Sequence, residues 1–182
     1  MSEAGVQTLV AQARAGARSA PPKLDIAAVR AALGDVPDPE IPVVSVVDLG
    51  MIGEIRIGPD GIRVDLLPTY VGCPALDVIR SRVEGRLRSF DRPVEVRFDF
   101  RVPWTSDRIT PAGREALRAS GYAPPGPAQP DAPLLVQLGR PVECPNCGST
   151  RTVLENAFGP TRCRAIHQCT ACRQPFESFK TI

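Results

Sequence analysis

Six cysteines and a single histidine are the side chains best suited to chemistry here, and four of the cysteines fall into two pairs. Cys144-Pro-Asn-Cys147-Gly and Cys169-Thr-Ala-Cys172 each leave two residues between sulfurs. A tight turn can then aim both sulfurs at one ion about 2.3 Å away. Gly148 supplies the backbone freedom that such a turn wants. The 21 residues between the pairs slightly exceed the usual spacing of about 15–20, and a hairpin with one extra turn absorbs the difference. Four thiolates fill a tetrahedron, so a closed, structural zinc site is expected at Cys144, Cys147, Cys169 and Cys172. The competing readings are two disulfides, a redox-active dithiol, or iron in the same four-sulfur cage; iron is the strongest of these.

The remaining residues are more ambiguous. Cys163 lies outside both knuckles and is either a small packed residue or a fifth thiol near the metal. His167 could displace a cysteine ligand, but an exposed strand position is the expectation. Cys73 sits in Pro68-Thr-Tyr-Val-Gly-Cys73-Pro74, which reads as a strand end, a turn at Gly72 and a helix opening at Pro74. At a helix N-terminus the dipole would favour its thiolate; as a lone cysteine it could equally be buried filler. Asp38 and Glu40, in the loop Asp38-Pro39-Glu40, could place carboxylates near that thiol or simply be solvated. No Ser–His–Asp set, phosphate loop or histidine pair occurs. One histidine supplies little acid–base catalysis, so the chain is not expected to be catalytic itself.

These residues need positioning elements. Asp25 caps a helix whose face carries Ile26, Val29 and Leu33, with Gly34 as its stop. Apolar runs at 51–57 and 62–67 flank Gly58-Pro59-Asp60-Gly61, a hairpin turn. A helix from Pro74 buries Leu76, Ile79, Val83 and Leu87. Val94, Val96, Phe98 and Phe100 alternate with charged residues as a half-buried strand. Thr110-Pro111 opens a third helix that ends at Gly121. Five prolines between 123 and 133 mark a stiff linker, and residues 134–138 form a candidate strand beyond it. The expected division is a flexible tail at 1–22, an α+β domain at 23–122 with helices packed on a short mixed sheet, the linker at 123–133, and an all-β zinc-ribbon domain at 134–182.

Composition narrows the classes. The 182 residues are 43% hydrophobic and 23% charged with a net charge of +2, ordinary for a globular protein and weak as a signal for nucleic acid. From residue 140 onward six Arg/Lys face three Glu. A zinc with four thiolates offsets most of that excess, so a protein-binding ribbon is favoured over a nucleic-acid-binding one. Neither a signal-peptide core nor an 18-residue apolar span is present. With paired cysteines, this points to the reducing cytoplasm and no membrane partner.

Asp38-Pro-Glu-Ile-Pro-Val, Ser45-Val-Val-Asp-Leu-Gly-Met-Ile52, Thr69-Tyr-Val-Gly-Cys-Pro74 and Val102-Pro-Trp104 together resemble the MIP18 (DUF59) domain of iron–sulfur assembly factors. That domain followed by Cys-Pro-x-Cys-Gly, Phe-Gly-x-Thr, Cys and Cys-x-x-Cys-x-x-Pro-Phe resembles the PaaD (PaaJ) family, accessory proteins of the phenylacetyl-CoA 1,2-epoxidase system. The resemblance covers residues 24–182. It implies a maturation factor that assists iron–sulfur cluster or iron insertion into the reductase or oxygenase component. A stable, non-catalytic structural subunit of the epoxidase is the alternative. It maps the family's domain cysteine onto Cys73 and its acidic loop onto Asp38 and Glu40, as a site for a transient iron–sulfur cluster that two chains of a homodimer could share. It gives Cys163 a role beyond packing, as an additional ligand, and gives His167 none.

Overall fold

The computed structural model describes residues 24–128 and 140–181. The expected tail at 1–22, the later part of the expected linker and the candidate strand at 134–138 lie outside the described residues. In chain order the elements are α1 (Ile26–Leu33), β1 (Ile52–Gly58), β2 (Gly61–Leu66), α2 (Leu76–Leu87), β3 (Val94–Phe98), α3 (Pro111–Ala119), β4 (Tyr122–Ala123), β5 (Thr152–Asn156), β6 (Arg164–Cys169) and β7 (Pro175–Phe179). The α+β class and the strand-rich C-terminal region are as expected.

Local chemistry explains the helix starts. Asp25 accepts a hydrogen bond from the Ala28 N–H at 2.8 Å, and the Thr110 hydroxyl accepts one from Gly113 at 2.9 Å; both satisfy donors that a helix leaves orphaned. Three apolar positions depart from expectation, of which Leu76 is only half-buried in α2. Ile26 and Phe100 are 52% and 57% exposed. Ile26 opens α1 outside the buried face of Val29, Ala32 and Leu33, and Phe100 follows the end of β3.

The first sheet has the order β1-β2-β3, antiparallel then parallel. The parallel step needs a crossover, which α2 supplies; its buried Ile79, Val83 and Leu87 join the core with Ile62, Val64 and Leu66 of β2. A polar node ties the loop before β1 to α3. Ser45 Oγ donates to Asp48 Oδ2 at 2.7 Å, and Thr110 Oγ1 donates to Asp48 Oδ1 at 3.0 Å.

The second sheet runs β4-β7-β6-β5. β5, β6 and β7 are an antiparallel meander, whereas β4 lies parallel to β7, pairing Tyr122 with Glu177 and Ala123 with Ser178. The strand that leaves α3 is therefore an edge of the ribbon sheet. Side chains are exchanged as well. Ala123 belongs to the ribbon's small apolar cluster with Cys144, Cys169 and Phe176. Cys163 and Phe179 belong to the body's core. The Phe179 ring lies 5.8 Å from that of Trp104, whose indole N–H donates to the Leu49 carbonyl at 2.8 Å.

Candidate metal centre and thiol cleft

The two knuckles are built alike. Gly148 N–H donates to the Cys144 carbonyl and Arg173 N–H to the Cys169 carbonyl, each at 2.8 Å. Gly148 and Arg173 take the same left-handed conformation, φ 70° and 63°. The turn thus demands this backbone in both, but only the first knuckle has the glycine that adopts it without steric cost. Cys144 and Cys172 sulfurs are 3.7 Å apart, as are those of Cys147 and Cys169. All four lie within 4.8 Å of one another.

A tetrahedron with sulfurs about 2.3 Å from its centre has edges of about 3.8 Å, so the donor set fits a thiolate-bound zinc-type cation. Without a cation the sulfurs compete for protons. N–H groups of the turn, that of Cys172 foremost, draw Cys169 down to about 7. Cys172 has help from the Gln174 N–H, yet burial and the neighbouring sulfurs push it up to about 12. A cation held by all four sulfurs would have no position left for substrate, the arrangement of a structural centre.

His167 corrects an expectation. It is 3% exposed and stacks on Phe176 at 5.5 Å, and burial lowers its pKa. It is a packed core side chain of β6, not an exposed strand residue, and stands outside the four-sulfur group.

Cys73 also differs from expectation. Gly72 makes the turn, at φ 86°, but α2 begins at Leu76 with Ala75 as its N-cap, so Pro74 is not its first residue. Burial raises the Cys73 pKa; the Ala75 N–H opposes this, and the Glu40 and Asp38 carboxylates reinforce it. The helix end loses to desolvation and like charge, and the thiol is held protonated at neutral pH.

The acidic loop splits by role. Asp38 Oδ1 accepts the N–H groups of Glu40 and Ile41, both at 2.8 Å, which shapes the loop. Glu40 faces a cavity of about 230 Å³ together with Cys73 and, from the ribbon, Cys163. Burial raises the Glu40 pKa, Asp38 adds to the rise, and Arg164 opposes it.

The ribbon wall of this cleft, Phe158 to Cys163, is not legible as part of a site from the sequence, although Phe158-Gly-Pro-Thr161 stands out there as a motif. Thr161 Oγ1 lies 3.1 Å from Cys163 Sγ and accepts from Arg164 Nε at 2.8 Å. Lys180 Nζ donates to the Arg162 carbonyl at 2.7 Å and sits 4.7 Å from the centre of the Phe158 ring. The body and ribbon therefore meet at a thiol-lined cleft.

A domain with one open-sided thiol, joined to a closed four-sulfur ribbon, defines a class that comparison with known proteins specifies. Residues 26–98 match the profile described as "Iron-sulfur cluster assembly protein", and residues 128–180 that of the "PaaD zinc beta ribbon domain". The chain is 38% identical to a subunit of the "Putative 1,2-phenylacetyl-CoA epoxidase" of Escherichia coli K12, over 90% of its own length and 96% of that protein; it belongs to this PaaD family. It is also 34% identical to the "Fe-S protein maturation auxiliary factor" of Porphyromonas gingivalis, over 50% of this chain and 85% of that one. A DUF59 domain structure from Bacillus anthracis is 26% identical with a TM-score of 0.47, covering 50% of this chain and 89% of that one. Among the described residues no helix is long and apolar enough to cross a membrane.

Proposed function

We propose that this chain is a non-catalytic accessory factor of a bacterial phenylacetyl-CoA ring-epoxidase system, acting in the cytoplasm to assist iron or iron–sulfur cluster insertion into the reductase or oxygenase component. The observation that carries the reading is one chain similar over nearly its whole length to an epoxidase subunit, and over its first domain to iron–sulfur assembly proteins, with Cys73 facing an open cleft. Zinc at the four ribbon cysteines would be structural and permanent. Cys73, with Glu40 beside it and Asp38 shaping the loop, would hold iron cargo briefly. A single thiol with a raised pKa binds weakly at neutral pH, which suits hand-over.

Replacing Cys73 with Ser in cells that express the epoxidase system tests this. The cluster content of the purified reductase, or the iron content of the oxygenase, should fall several-fold while ribbon zinc stays unchanged. Unchanged occupancy of both clients removes Cys73 from the mechanism. A second reading, a permanent structural subunit, draws on the way ribbon and body share one sheet. It requires stoichiometric co-purification with the oxygenase and loss of activity when the chain is stripped from a matured complex.

A further inference from the structure

We propose that Cys163 belongs with Cys73 rather than with the four ribbon cysteines, and that the two thiols form a second sulfur site, spanning both modules, for iron cargo. This rests on the maturation reading and names the ligand set of its cleft. Three observations carry it. Cys163 is 7% exposed and packs in the body's core cluster, against which Cys73 also packs. The ribbon ligands Cys144 and Cys169 form a separate cluster. Both thiols line the same cavity of about 230 Å³, with Glu40 on its wall. Burial raises the pKa of both thiols, and the Glu40 carboxylate on the cavity wall adds to the rise in each.

Among the described residues, only the four ribbon sulfurs form a group of three or more donors within 4.8 Å of one another. The cleft is thus no closed cage. A cation held by two thiolates keeps open positions for a client's ligands, and that favours transfer over storage. Each thiol surrenders its proton as its metal–sulfur bond forms, so uptake of one cation releases up to two protons and strengthens as pH rises. Arg164 places a guanidinium near Cys163 that supports the thiolate once formed, against the larger effect of burial.

The test uses the full chain with its ribbon loaded with zinc, and Co²⁺ as the probe. Wild type should take up about one Co²⁺ without releasing zinc, and X-ray absorption at the cobalt edge should count about two sulfurs. Cys73→Ser and Cys163→Ala should each weaken uptake about ten-fold or more, with Trp104 emission confirming the fold. A cobalt site with one sulfur or none overturns the proposal, as does four-sulfur cobalt that has displaced the zinc. The sulfur count in wild type decides even where a variant does not fold. Uptake lost in Cys73→Ser but unaltered in Cys163→Ala discards the pairing and leaves the maturation reading intact. That reading falls separately, on client cluster content.

Discussion

At the scale of single residues, the decisive contest is at Cys73, between a nearby helix end that favours the thiolate and burial beside two carboxylates that opposes it. Burial and charge win, and the thiol is raised above its ordinary value. A raised thiol adds stability that is complete below the unfolded pKa of about 8.5 and is lost as pH climbs through the higher folded value. Site-resolved alkylation of Cys73 in the zinc-loaded protein should therefore show its inflection above that ordinary value. Glu40→Gln removes one like charge and should move the inflection down. An inflection at or below neutrality would show that the helix end dominates after all.

At the scale of elements, the two knuckles share one backbone shape with unequal ease. Gly148→Ala forces a Cβ into the left-handed region, where its nearest neighbour would be Glu143 Oε1 at 3.8 Å. The cost is thus backbone strain, about 1 kcal/mol. Chelator competition should show zinc affinity lowered about five-fold. Arg173→Gly, at the matching position of the second knuckle, should shift affinity the opposite way by a similar factor. Equal effects of the same sign would mean that side-chain contacts, not φ, govern these turns.

For the whole molecule, the ribbon keeps a small apolar cluster of its own but adds Cys163 and Phe179 to the body's core. Phe179 closes over Trp104, the chain's single tryptophan, which is 4% exposed. Removing zinc with a strong chelator should unfold the ribbon, uncover the indole and shift its emission to longer wavelength, with zinc restoring the original spectrum. Emission unmoved by chelation would mean that the modules fold independently.

The amino-acid sequence by itself determined what acts over a few residues. Chelate spacing singled out the four ribbon cysteines whose sulfurs the fold gathers, caps at Asp25 and Thr110 placed two helix starts, and Gly58-Pro59-Asp60-Gly61 placed the hairpin. These are short-range effects, in which bond geometry and neighbouring hydrogen bonds leave few choices. Tertiary structure alone decided that β4 joins the ribbon sheet, that His167 is buried, and that Cys73 and Cys163 face one cleft. Such outcomes depend on which apolar surfaces pack together, and on how much water that packing strips from a thiol or an imidazole. No local pattern around Cys163 encodes its distance from a residue so far back along the chain.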